Sequence, residues 1–161
     1  MANILNDNDI VAALFARFTG GYHYMIALYG VGEGNTAIKL HVNNLTGDFA
    51  FDTGSYNLLG SLTLCTLIKI GTRGQVSPAE IRAIVEAIPL EVPPADQATE
   101  KTFDCRVWFR EAVRRLDANG ILTCPDIDAL EIELERLADP NARSILQGIG
   151  RFTYFVATTC T

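Results

Sequence analysis

The chain is poor in the features that usually announce a partner or a cofactor. It has no run of clustered lysine and arginine: 13 Lys and Arg stand against 19 Asp and Glu in 161 residues, a formal charge of -6. Binding to a phosphate backbone is driven by clustered cations that displace counterions, so this balance argues against a nucleic-acid partner. It has no Cys-x-x-Cys pair. Cys65, Cys105, Cys124 and Cys160 lie 40, 19 and 36 residues apart, which removes the usual zinc and thioredoxin-type spacings. It has no long apolar run either. The longest uncharged stretch, Thr53 to Ile68, is 16 residues and contains two Gly, two Ser and an Asn, too short and too polar to span a bilayer. Asp7 and Asp9 occupy the place where a secretory signal needs positive charge, so a cytoplasmic protein with reduced thiols is expected.

What is present is the composition of a folded globule, 48% hydrophobic and 20% charged. At this length folding buries about 70% of the chain's surface, enough for one core, and a single domain over residues 1–161 is expected. Ile10, Val11, Leu14, Phe15 and Phe18 recur at helical spacing behind the possible N-caps Asn6 to Asp9, which predicts a first helix ended by Gly20-Gly21. Tyr22 to Tyr29 and Thr36 to Val42 read as two strands joined by the glycine-rich stretch Gly30 to Gly34. Further strand signals fall at Asp48 to Asp52 and Ser61 to Ile70. Beyond residue 76 the period changes. Ser77-Pro78-Ala79-Glu80 is a capping box with Pro at the first helical position, and Glu91 to Thr102 has the composition of an exposed linker. Asp104 to Asp117 predicts a helix, the stripe Ile127, Leu130, Leu134, Leu137 another, and Asp139-Pro140 a restart through Ile149. Phe152 to Thr158 closes the chain as a strand or apolar tail. The expected class is α+β: a small antiparallel sheet, with the hairpin 22–42 and further strands, packed against four to five helices.

Both histidines of the chain fall in that one hairpin. A five-residue loop, Gly30 to Gly34, would set His23 directly opposite His41 on one face, with Cβ atoms about 5 Å apart. A slip of one residue would send them to opposite faces. The alternative is two half-buried polar residues of a sheet. Cys105 follows Asp104, a natural N-cap, and so opens a helix, where free N–H groups, the helix dipole and the adjacent Arg106 favour a thiolate. It also lies on the stripe Cys105, Trp108, Phe109, Ala112, Val113, Leu116, which is equally the inward face of an amphipathic helix. Cys65, Cys124 and Cys160 have no comparable setting.

The segment Gly21-Tyr22-His23-Tyr24-Met25-Ile26-Ala27-Leu28-Tyr29-Gly30, the polar His41 on the next strand, and Asp104-Cys105 opening a later helix resemble the circularly permuted papain-like (NlpC/P60-like) superfamily, which includes lecithin:retinol acyltransferase-like and PPPDE-type thiol enzymes. Tyr22-His23-Tyr24 with Phe103-Asp104-Cys105-Arg106-Val107-Trp108-Phe109-Arg110-Glu111-Ala112 is also similar to a set of small fungal proteins, some of which lie among secondary-metabolism genes. The resemblance covers residues 20 to 115. It implies Cys105 as nucleophile, His23 as general base and His41 as the group that orients it.

Tyr22, Tyr24, Trp108 and Phe109 are the expected lining of a substrate pocket, since an aromatic-walled cavity with few polar groups suits a hydrophobic small molecule. The leading expectation is therefore a thiol enzyme for acyl transfer or hydrolysis on a hydrophobic substrate, without cofactor. A cofactor-free cyclase or isomerase of pericyclic, Diels–Alder type ranks second: it would fold its substrate in the aromatic pocket and polarise a carbonyl from His23, His41 or a Tyr hydroxyl. A non-catalytic binding module ranks third. A zinc site of His23, His41 and Cys105 fits by ligand type alone, and no adjacent ligand pair supports it, so no metal is expected.

Overall fold

The computed structural model describes residues 5–161. In chain order the elements are β1 (Asp9–Ala16), β2 (Tyr22–Leu28), β3 (Ala37–Asn43), β4 (Ala50–Tyr56), β5 (Leu64–Thr72), α1 (Pro78–Glu86), α2 (Cys105–Ala118), α3 (Ile127–Leu146) and β6 (Thr153–Val156). The six strands form one sheet in the order β4-β3-β2-β1-β5-β6. Among the described residues only the β5–β6 pairing is parallel. The fold is α+β, with three α-helices among the described residues where four to five were expected.

Two of those helices are absent for different reasons. Residues 9–16 form a central strand, not a helix. Every residue of β1 is buried, with β2 on one side and β5 on the other. A strand covered on both faces shows a continuous apolar run with no polar alternation, and that run satisfies helical spacing as well as strand spacing. Two pairing partners decide the matter, and Asp9, expected as a helix cap, becomes the first residue of the strand, its buried carboxylate paired with Lys69 at 3.0 Å. The second helix disappears by fusion. Asp139-Pro140 does not restart α3, which runs unbroken through Pro140 with Leu134, Ala138 and Ile145 all buried. Proline removes one hydrogen bond from a helix interior, and packing on both sides of it outweighs that loss here.

The sheet has a core on each face. Even-numbered residues of the central strands, Ile10, Ala12, Leu14, Tyr24, Ile26 and Leu28, pack under the helices with Trp108, Phe109 and Leu130. Odd-numbered residues, Val11, Ala13, Phe15, Met25 and Ala27, belong to a smaller cluster on the opposite face, closed by Leu58, Leu64 and the partly buried Tyr56 and Phe152. His23 is level with Phe15 and therefore emerges on the smaller face. Gly47, at φ 119°, supplies the left-handed turn residue between β3 and β4 that sets His41 directly across from Asp52.

The stretch from 91 to 102 is anchored, contrary to its linker-like composition. Asp96, in a single 3-10 turn (Pro94–Asp96), is 1% exposed. Its Oδ1 accepts from Arg110 Nε at 3.1 Å and its Oδ2 from Arg114 Nη1 at 2.8 Å. Arg110 continues to Asp128 on α3 at 2.6 Å, and Arg106 to Glu131 at 2.8 Å. Burial alone would raise the Asp96 carboxyl, but the hydrogen bonds from Arg114 and Arg110 more than offset it and hold it below the usual carboxylate range. Removing one partner of such a pair strands the others in a poorly solvated site. Asp96→Ala is expected to lower unfolding stability by about 3 kcal/mol, with Asp96→Asn losing less. Urea denaturation measures this, and a loss under about 0.5 kcal/mol for the alanine variant would contradict the anchoring role.

Candidate active site

The site is built at one end of the sheet from β1, β2, β3, β4 and the N-terminus of α2. The β2–β3 ladder pairs Ile26 with Leu40, Ala27 with Lys39 and Leu28 with Ile38. This is two residues away from the register that places His23 directly opposite His41. An even slip preserves the face, so the two rings meet diagonally, with His23 Nε2 2.7 Å from His41 Nδ1. His41 Nε2 lies 2.9 Å from Asp52 Oδ2, its cross-strand partner on β4. Asp52 also holds Lys39 Nζ at 2.8 Å. At the other end of the chain of contacts, Arg17 Nη2 is 3.3 Å from His23 Nδ1. The same nitrogen donates to Cys105 Sγ at 3.4 Å. Arg17 is the first residue after β1, and from there it spans from the histidine face to the helix-side core that contains Cys105.

The proton positions along this series follow from its electrostatics. Burial, then the neighbouring His41 and Arg17, pushes His23 down to about 3. Burial also lowers His41, although the Asp52 hydrogen bond opposes it. Lys39 and His41 together hold the Asp52 carboxyl below its ordinary value despite its desolvation. Near neutral pH Asp52 is thus a carboxylate between Lys39 and the neutral His41 imidazole, with the neutral His23 beyond His41. A carboxylate only accepts, so His41 carries its proton on Nε2 and offers a lone pair at Nδ1. His23 must donate to that lone pair from Nε2. Its own free lone pair is then at Nδ1, directed to Arg17 Nη2, an obligatory donor with one hydrogen for the ring and one for the sulfur. Every group has one consistent role.

A cavity of about 420 Å³ opens on this row, with Arg17, His23, Lys39, His41 and Asp52 in its wall beside Phe15, Met25 and Tyr56. Thr63 also borders a second, larger groove of about 780 Å³ walled by Phe18, Leu59, Leu62 and Phe152. Cys105 does not line the cavity and is only 2% exposed. Arg17 lies between the sulfur and the open space. Asp104 caps α2 by accepting from Val107 N at 2.9 Å, so Cys105 stands at the first helical position.

The aromatic residues expected to line a pocket are elsewhere. Tyr24, Trp108 and Phe109 are at most 1% exposed and fill the core beneath the helices. The Tyr24 and Tyr22 hydroxyls donate to Glu135 and Asp139 of α3. They face the helix layer because even-numbered β2 residues do, whereas His23, between the two tyrosines, faces the cavity. The other thiols have structural settings. Cys65 donates to the Ala138 carbonyl at 3.2 Å, and Cys124 and Cys160 are buried in the core beneath the helices. Arg17, Lys39 and Asp52 were absent from the candidates read in the sequence. Counting back from a turn at Gly47 would have exposed the His41–Asp52 pairing, but Arg17 was hidden by the helical reading of 10–18.

Among the described residues no three His, Cys, Asp or Glu side chains converge as metal ligands, and no helix is long and apolar enough to cross a membrane. A scan against protein-family models finds no match, and searches of curated proteins and of solved structures find none either.

Because the histidines are held neutral, stability should respond to acid. The unfolded chain takes up a proton at His23 near 6.5, whereas the folded chain does so only near 3. The His23 contribution is therefore complete above 6.5 and is lost as pH falls through that window. Thermal melts at a series of pH values should show a shallower loss between pH 7 and pH 4.5 for His23→Gln than for the unaltered protein. Parallel curves would contradict the assignment.

Proposed function

We propose that the chain is a thiol enzyme that cleaves or transfers an acyl group, with Cys105 as nucleophile, His23 as general base and His41 and Asp52 orienting it. The observation that carries this reading is the shared contact of Arg17 Nη2 with Cys105 Sγ and His23 Nδ1: one guanidinium nitrogen touches both the helix-terminal thiol and the ring nitrogen that bears the lone pair. Cys105→His23→His41→Asp52 has the logic of a nucleophile, a base and a group that fixes the base's tautomer, extended by one histidine.

In this reading Arg17 Nη2 withdraws from between the two groups, and the Cys105 thiol gives its proton to His23 Nδ1 as Sγ bonds to the acyl carbon. The developing imidazolium is stabilised through His41 by the Asp52 carboxylate. Val107 and Trp108 N–H are taken by Asp104, so the N–H groups of Cys105 and Arg106 are the ones that would receive the oxyanion. His23 returns the proton to the leaving group, and a thioester remains on Cys105. Water or an acceptor nucleophile then attacks the thioester, giving its proton to His23, and the thiol is regenerated. The apolar groove beside Thr63 offers space for a hydrophobic part of the substrate.

One observation favours the second reading, a cofactor-free cyclase or isomerase. The histidines face the cavity, whereas Cys105 is covered by Arg17. Such a catalyst needs a hydrogen-bond donor and a shaped cavity, and no sulfur. The experiment that separates the two is capture of the intermediate. Incubation with p-nitrophenyl acyl esters, followed by intact-mass and peptide analysis, should give an acyl adduct on Cys105 with release of nitrophenolate. Cys105→Ser should lose both, and His23→Ala should slow release by about 100- to 10,000-fold. Undiminished ester turnover in a folded Cys105→Ser protein would contradict the thiol reading and favour the cyclase.

A further inference from the structure

Arg17 is the one cation on the cavity wall whose charge is not met by a carboxylate among the described residues. Lys39, the other, is bound by Asp52 at 2.8 Å. The Asp52 charge is further shared with His41, and both imidazoles are neutral, so an anion entering the cavity meets one uncompensated guanidinium. Arg17 uses Nη2 for both of its contacts, with His23 and Cys105. The side chain is exposed, and its Nε and Nη1 donors have no hydrogen-bond acceptor among the described residues. A guanidinium fork matches a carboxylate in two places by pairing Nη2 with Nε or with Nη1, so two-point binding takes Nη2 off its present contacts.

We propose that Arg17 is the receptor for a carboxylate carried on the substrate next to its electrophilic carbon. The inference rests on the thiol-enzyme reading and specifies its substrate class as acidic. The bound carboxylate draws the fork toward the cavity, so that Nη2 leaves the gap between His23 Nδ1 and Cys105 Sγ. The base then faces the thiol directly, and the electrophilic carbon is delivered beside the sulfur. Arg17 thus covers the nucleophile in the free protein and positions the substrate in the complex.

The test compares iodoacetate with iodoacetamide, two alkylating agents of nearly equal size that differ by one negative charge. In either case Sγ bonds to the methylene carbon as iodide departs, and the thiol proton passes to His23 and on to solvent. Rates at Cys105 are read by peptide mapping, and the reference is the same cysteine in the urea-unfolded chain. The iodoacetate-to-iodoacetamide rate ratio should be about tenfold higher in the folded protein than in the reference. Arg17→Gln should return it to the reference value, and Arg17→Lys should retain part of the preference. Should the Arg17 variants fail to fold, the unaltered protein still decides the question: its ratio must fall as salt rises, because the attraction is between charges at a solvent-facing site. A folded ratio at or below the reference, with Cys105 alkylated by both agents, overturns the carboxylate receptor and leaves the thiol enzyme standing. Failure of either agent to reach Cys105 in the folded chain, with normal labelling after unfolding, overturns both.

Discussion

Burial of β1 on both faces is the constraint on which the rest of the molecule depends. The strand from Asp9 to Ala16 joins the β2–β3–β4 half of the sheet to β5 and β6, and its alternate side chains belong to two different cores. A strand in that position has no solvent side to set its period, so its register comes entirely from its two neighbours. Those neighbours determine where the strand ends, and the residue immediately past the end is Arg17. The guanidinium can touch His23 and Cys105 with one nitrogen because it leaves the sheet at the edge of both cores.

The second requirement is a consistent set of proton positions. Asp52, His41, His23 and Arg17 can form an unbroken row of hydrogen bonds with both rings neutral in only one arrangement, and it ends on a lone pair at His23 Nδ1. Burial lowers both histidines, which keeps the row in that state near neutral pH. Lys39 supports it from outside by sharing Asp52. The cavity lining is therefore divided between this polar row and the apolar Phe15, Met25 and Tyr56, with Phe15 against His23 and Tyr56 beneath Lys39. That division is what a reaction on a partly hydrophobic molecule requires.

Much of this was legible in the residues, and the failures share a cause. The helices at Ser77 and Asp104 were readable because caps act locally: Ser77 and Glu80 form the expected capping box, and Asp104 the expected cap. The hairpin of 22–42 was readable from its glycine loop, and its histidines share a face although the register moved by two, since only an odd slip separates them. Residues 10–16 were misread because an apolar strand without polar alternation is indistinguishable by spacing from a helix, and the information that decides it lies in β2 and β5. Tyr22, Tyr24, Trp108 and Phe109 were placed on the wrong side for a related reason. Aromatic content shows that a surface is covered without showing whether a ligand or a helix covers it. Asp96 looked solvated because its partners, Arg110 and Arg114, come from an element later in the chain.

The direction of the His23 lone pair is the point on which the site's chemistry turns, and the ring nitrogens report it directly. With only two histidines in the chain, long-range ¹⁵N–¹H correlation spectra of the imidazole rings near neutral pH give two spin systems, assigned by the loss of one in His41→Gln. Both rings should be neutral and protonated at Nε2, with Nδ1 carrying the lone pair. A proton at Nδ1 of His23, or a charged ring at either position, would break the row at its functional end and contradict the account.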